Sequence, residues 1–220
     1  MADLNTKNML QTEIFNKNVE AYEAWYNDYP EVFQSEVAAI KEQLLKLPEK
    51  ISGIEVGLGT GRFSEALGIK EGIEPSEEMA KRAVKRGIEI MKGVAEKLPY
   101  SDYYFDFLLF VTICHLNNLK GALNEAHRVL KPGGSIIIAF LDKNQTIAQQ
   151  YEEKRHRSTF FKNATYYSVN KVKDLLKEAG FKDLEFNQTL FGELGNIKKV
   201  QAPKEGYGEG SFVVVKAIKK

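Results

Sequence analysis

The sequence has little that would tie it to a membrane, an oxidising compartment or a polyanion. Its single cysteine, Cys114, excludes an internal disulfide and fits a reducing compartment. No apolar run approaches the roughly 20 residues needed to cross a bilayer. The first residues, Met1 to Thr6, lack the charged-then-apolar order of a secretion signal. Its 31 basic residues balance 30 acidic ones, for a net charge of +1, so no global electrostatic footprint for nucleic acid is present. No cluster of His, Cys and Asp falls at metal-ligand spacing, and there is no internal repeat or low-complexity tract. The expectation is a cytoplasmic protein with no membrane, nucleic-acid or metal partner. At 220 residues, 43% of them hydrophobic, the chain can bury one sizeable core.

What is present is a regular alternation. Residues about 12 to 47 read as helical: Phe15, Val19, Tyr22, Trp25 and Tyr26 recur at three- and four-residue spacing, and Pro30 interrupts. Val37, Ile40, Leu44 and Leu47 repeat the pattern until Pro48 ends it. Short apolar runs at 51–56, 70–74, 88–92, 106–111 and 135–141 then read as strands. Helical patterns at 61–67, 76–86 and 122–130 lie between them. Ser76 is placed to cap its helix, with Glu77 and Glu78 favourable to the helix dipole. The segment Pro132-Gly133-Gly134 reads as a breaker before Ile136 to Phe140.

Such alternation predicts a parallel sheet covered by helices on both faces. The continuous apolar runs 106–111 and 135–141 belong at its centre. The C-terminal part differs. A helix over 169–179 stops at Gly180, and two strand-like runs, 181–190 and 211–219, follow with no helix between them. Adjacent strands joined in that way are antiparallel. One antiparallel strand near the sheet edge is therefore predicted.

The most informative ten residues are Ile54 to Phe63. A buried strand ends in Glu55-Val56 and runs into Gly57, Gly59 and Gly61 at every second position, then into a helix. Missing Cβ atoms allow positive φ and a close approach of backbone to a ligand. The N–H groups of the helix start favour a carboxylate or phosphate. The loop either carries a nucleotide-like ligand or is a glycine-rich turn with none.

Further motifs follow in order. Glu55 to Gly61, Gly72 to Met79, Gly93 to Asp106 and His127 to Gly134 together resemble the four landmarks of the class I S-adenosylmethionine-dependent methyltransferases, especially the small-molecule, ubiquinone-biosynthesis-like type. The motifs cover roughly residues 50 to 140; strand and helix order carries the remainder. The resemblance implies a Rossmann-like, doubly wound, mostly parallel seven-stranded sheet with an antiparallel last strand. It also implies an N-terminal helical lid at 1–48 ahead of a methyltransferase domain at 49–220.

It implies S-adenosylmethionine as donor and a small-molecule acceptor. The backbone of Gly57, Gly59 and Gly61 flanks the donor's methionine part, and Glu55 positions its ammonium. Glu74 takes the ribose diol, a role a two-oxygen acceptor at a strand end suits. Pro75 and Met79 line the adenine side, Ala95 and Glu96 meet the adenine edge, and Val111 and Thr112 pass near the sulfonium. Where many members carry an acid before that alanine, this chain has Val94.

His115 is the candidate proton-transfer group by its ordinary pKa, and it equally suits a packing role. Cys114 reads as a small core residue, His127 and His156 as surface residues. Tyr22, Trp25 and Tyr26 on the N-terminal helix, and the aromatic insert between Asp142 and Tyr167 with Phe160, read either as acceptor-site walls or as a core stripe and a solvated segment. A nicotinamide oxidoreductase would need G-x-G-x-x-G, which the loop does not match. A nucleic-acid amino methyltransferase would carry a Pro-Pro tetrad absent from 108–116. A non-catalytic donor-binding protein of the same fold is the remaining alternative.

Overall fold

The computed structural model describes residues 12–220; the part of the N-terminal segment before residue 12 lies outside them. After helical residues 12–17 come α1 (Val19–Asp28) and α2 (Pro30–Leu44). Pro30 does not merely interrupt: it is the first residue of α2, where its missing N–H costs nothing. Then follow β1 (Gly53–Val56), α3 (Arg62–Leu67), β2 (Glu71–Ile73), α4 (Glu77–Lys85), β3 (Glu89–Met91), β4 (Phe105–Val111), α5 (Leu119–Val129) and β5 (Leu130–Leu141). The chain continues through α6 (Thr146–Glu153), α7 (Val169–Glu178), β6 (Phe181–Thr189), β7 (Lys204–Glu205) and β8 (Phe212–Lys219).

These strands form one sheet in the order β3-β2-β1-β4-β5-β8-β6-β7. The first five are mutually parallel. β8 is antiparallel to both β5 and β6, between which it is inserted. The antiparallel last strand is as the sequence predicts. The sheet has eight strands rather than seven because the two-residue β7 adds a short edge to β6. β5 also begins earlier than its apolar core: Leu130 pairs with Phe105, and the strand passes Pro132-Gly133-Gly134 through a register shift, with Gly133 at φ +77.

Strand side chains alternate between two cores. Ile54, Val56, Leu108, Phe110, Ile136 and Ile138 pack with α5 and α7 on one face. Phe107, Leu109, Val111, Ile137 and Ala139 pack with α1, α2 and α3 on the other. Both faces are covered, which is why these strands read as unbroken apolar runs. Lys219 ends β8 with its ammonium buried against the carbonyls of His127 and Leu130. His127 accordingly is not a free surface residue; its ring packs edge-on to Phe181. His156 is exposed.

The switch in strand order falls between β1 and β4, so their carboxyl ends open a crevice. β2 is drawn close beneath this crevice. The Ile73 carbonyl accepts both the Gly57 N–H at 2.8 Å and the Leu58 N–H at 3.1 Å. That approach needs a glycine at 72: a Cβ there would stand 2.1 Å from Leu58 Cδ2 and 2.6 Å from the Glu55 carbonyl oxygen. Gly72→Ala is therefore expected to lower stability by about 1–3 kcal/mol, the usual cost of overpacking. Denaturant unfolding checks this, and an unchanged midpoint contradicts the close approach.

Candidate active site

A cavity of about 280 Å³ lies over the carboxyl ends of β1 and β4. On one side stand Gly57 and Gly59, held at φ +73 and +60. A Cβ on Gly57 would meet nothing within 4 Å, so the backbone there faces open space. Gly61 behaves differently. It caps α3 at φ +80, and a Cβ would lie 2.5 Å from Ile88 Cδ1 and 3.0 Å from the Ala83 methyl. Its missing side chain serves helix packing, and Gly61 does not line the cavity.

Two buried carboxyls support the loop. Glu55 accepts the Ser64 hydroxyl at 2.5 Å. Burial raises its pKa to about 8, opposed by the bonds from Ser64. Glu74 follows β2 and bridges two turns: Oε2 accepts the Gly59 N–H and Oε1 the Ser76 N–H, each at 2.8 Å. Each oxygen keeps a further lone pair. Burial raises Glu74 to about 7, with the two backbone bonds pulling it down. Ser76 caps α4 as predicted, its hydroxyl accepting the Met79 N–H. Pro75, Met79, Val94 and Ala95 continue the wall. Glu96 also reaches it, while one of its oxygens accepts the Asn117 and Asn118 N–H groups at 3.1 Å. Val111 and Thr112 close the β4 side; Thr112 takes a left-handed conformation at φ +61 as the chain turns off the strand.

Opposite the loop is an aromatic roof assembled from three separate segments. Phe15 stacks on Phe160 (5.5 Å between centroids) and meets His115 edge-on (5.2 Å). His115 stacks on Phe161 (5.4 Å), which stacks on Tyr151 (4.6 Å). Tyr22 meets Phe160 edge-on and shares a 2.9 Å hydroxyl–hydroxyl bond with Tyr26. Thus Tyr22, Trp25, Tyr26, His115 and Phe160 all line the cavity, and the Tyr22 hydroxyl comes close to the Gly59 backbone. Burial pushes the His115 imidazole down to about 4, and its Nδ1 has no hydrogen-bond partner among the described residues. Cys114 is buried, its thiol pushed up to about 12, in keeping with a core residue.

α1 is fastened over the crevice by ion pairs. The Glu23 carboxylate meets Arg62 at 2.6 Å and Arg86 at 2.9 Å, and Arg86 also donates to the Thr60 carbonyl of the glycine loop. Burial works to raise Glu23, but the two guanidinium groups hold it below the ordinary range. This fastening is absent from the sequence reading, because Glu23, Arg62 and Arg86 fall in three different elements. The reading also missed Glu36. It is buried on α2 and reaches the cavity, with its carboxyl raised to about 8 by burial. The signal was a carboxyl in the apolar row Val32, Glu36, Ile40. Among the described residues no cluster of His, Cys, Asp and Glu could hold a metal ion. Nor is any helix among them long and apolar enough to cross a membrane.

The crevice at the strand switch, the glycine loop and the acid ending β2 define a Rossmann-like protein that binds a nucleoside-bearing ligand. Comparison with known proteins agrees. A family model described as a methyltransferase domain matches residues 54–138. An uncharacterized protein of Methanocaldococcus jannaschii is 42% identical over 207 residues, 94% of this chain and 98% of that protein. Demethylmenaquinone methyltransferase of Chlorobaculum parvum is 30% identical over 165 residues, covering 63% of this chain and 68% of that one. A crystal structure from Thermotoga maritima, described as a SAM-dependent methyltransferase and possible histamine N-methyltransferase, is 42% identical. It superposes with a TM-score of 0.90 over 96% of this chain and all of its own. The chain belongs to the S-adenosylmethionine-dependent methyltransferases, and S-adenosylmethionine is its methyl donor.

The buried acids make stability depend on pH. Glu36, Glu55 and Glu74 hold protons more tightly folded than unfolded, so their contribution is present at low pH and lost as pH rises from the ordinary carboxylate range to about 8. His115 acts oppositely, and only as pH falls from about 6.5 to about 4. Between pH 6.5 and 8.5 the carboxyls act alone among these four groups. The melting temperature of the ligand-free protein is expected to fall across that window in differential scanning calorimetry. A flat or rising trace contradicts the described burial.

Proposed function

We propose that this enzyme methylates a small-molecule acceptor enclosed between the glycine loop and the aromatic roof. The observation that carries this reading is the cavity itself: a modest volume, walled by Tyr22, Trp25, Tyr26, His115 and Phe160, next to the loop residues Gly57 and Gly59. The two named relatives support the reading, since demethylmenaquinone and histamine are both small molecules.

The residues fit the donor. Gly57 presents backbone to open space, Glu55 offers a buried carboxyl for an ammonium, and Glu74 keeps lone pairs for a ribose diol. Pro75, Met79 and Ala95 give apolar wall for an adenine, with Glu96 at its edge and Val111 and Thr112 toward the reacting end. The donor supplies an already activated methyl group. What the chain contributes is alignment and exclusion of water. In this reading the N-terminal unit, residues 1–48, acts as a lid through α1, with residues 49–220 binding the donor. The Glu23 ion pairs hold α1 closed over the loop.

His115 stands at the acceptor side, but an imidazole held near pKa 4 is a weak base at neutral pH. His115→Gln is therefore expected to leave turnover within about tenfold of the parent. A fall of about 100-fold or more, the range of general base catalysis, at unchanged donor affinity would make His115 the base.

Glu74→Ala removes an acceptor shared by Gly59, Ser76 and the ribose. Hydrogen bonds to a charged group are worth about 1.5–3 kcal/mol each, so donor affinity is expected to drop at least tenfold in calorimetric titration. An unchanged dissociation constant places the ribose elsewhere. The function itself is tested by transfer of labelled methyl from the donor to size-fractionated cell extract. Label is expected in the low-molecular-weight fraction. Label only in RNA or protein, with strongly salt-dependent affinity, sinks the small-molecule reading.

A further inference from the structure

Among the described residues, Glu36 is the one buried carboxyl at this cavity to which the donor reading gives no task. It is 8% exposed and lines the cavity. Among the described residues it has neither an ion pair nor a hydrogen bond at its carboxyl. Glu55 and Glu74 each have partners. A carboxyl in such a place costs stability unless something compensates it. Nothing among the described residues does so: α2 carries it on its buried face between Val32 and Ile40, where an apolar residue would pack without cost.

The surroundings say what would compensate it. Among the described residues the cavity wall carries Glu36, Glu55, Glu74 and Glu96, and no lysine or arginine. Anionic acceptors are opposed by that balance. Near Glu36 the wall is aromatic. Burial raises the hydroxyl pKa of Tyr26 and Tyr151, and a nearby Glu36 carboxylate adds to the rise in both; Trp25 lies with them at the cavity. Ring faces attract cations, and do so more strongly once water is excluded. α2 packs over β5, β6 and β8, whereas Glu55 and Glu74 come from β1 and β2 at the other side of the switch. The helix that carries Glu36 thus lies mainly over the strands beyond the switch, and it also touches α3.

We propose that Glu36, with Trp25, Tyr26 and Tyr151, forms the subsite for a positively charged amine group of the acceptor. The inference deepens the small-molecule reading above and rests on it. Glu36 fixes which acceptors bind and how they sit; it is a specificity-determining residue and takes no part in the donor site. A neutral acceptor of the same shape leaves the carboxyl uncompensated and is discriminated against.

The test is calorimetric titration of the protein saturated with S-adenosylhomocysteine. The probes are phenyl-, imidazolyl- and indolyl-ethylamines, each paired with its alcohol isostere. At least one amine is expected to bind tenfold or more tightly than its alcohol, and Glu36→Gln is expected to abolish that preference while S-adenosylmethionine affinity stays unchanged. Thermal unfolding of Glu36→Gln, with a second variant Glu36→Leu, is expected to show both folded and no less stable than the parent. Three outcomes overturn the proposal: alcohols binding as well as amines, an amine preference that survives Glu36→Gln, or a loss of donor affinity in that variant. The labelled extract separates the two failures. Label in neutral or anionic small molecules ends the amine subsite but leaves the small-molecule reading intact; label confined to RNA or protein ends both.

Discussion

The site depends on one short stretch of backbone pairing, where the end of β2 is tied to the glycine loop. The Ile73 carbonyl takes two successive N–H groups, from Gly57 and Leu58, and the next residue, Glu74, takes the N–H of Gly59. Three loop donors that a tight turn cannot satisfy internally are thus satisfied by one neighbouring strand end. Everything around it follows from this tie. It fixes the loop with positive φ at Gly57 and Gly59, sets Glu74 at the cavity, and starts α4 through the Glu74 bond to the Ser76 N–H. It also demands the absence of a side chain at Gly72, a position where sequence alone shows only an ordinary strand glycine.

Much of this was legible because local chemistry and fold agree. The apolar runs 106–111 and 135–141 read as central strands because helices cover both faces, so no polar alternation interrupts them. Ser76-Glu77-Glu78 announced a helix start with the right residues in the right order. The absence of a helix between 181–190 and 211–219 forced the antiparallel ending. Other features were hidden for physical reasons. Lys204–Glu205 is too short and polar to signal a strand. Pro132-Gly133-Gly134 reads as a break, yet a bulge carries β5 through it. Gly61 belongs to the loop in sequence and to the α3–α4 packing in space. Glu36 was passed over because a charge in an amphipathic helix is normally at its solvated edge; its place in the apolar row Val32, Glu36, Ile40 was the only sign, and the tertiary position of α2 gives that sign its meaning.

The roof and the wall divide the work of the cavity. Rings from Phe15 and Tyr22, from His115, and from Tyr151, Phe160 and Phe161 come from three distant stretches of chain and meet only when all three are in place. Such a roof excludes water without offering any fixed positive charge. Beneath it the wall is acidic, and burial holds Glu36, Glu55 and Glu74 near neutrality in the free protein. A ligand that brings its own positive charge converts that arrangement from a burden into a recognition surface. The fastening of α1 through Glu23 keeps three charged groups off the cavity wall, where Arg62 and Arg86 join α1 to the end of the glycine loop.

The insertion of β8 between β5 and β6 has a bearing on how the protein is made. β8 is the last strand in the chain but sits inside the sheet, and β6 and β7 reach the rest of it only through β8. While the chain is still emerging from a ribosome, β1 to β5 can pair and bury their faces, but β5 keeps an open apolar edge until Phe212–Lys219 arrives. During that interval the nascent protein offers a strand edge that another chain can extend. Shielding of that edge until Phe212–Lys219 pairs with it then bears on yield alongside the stability of the finished fold.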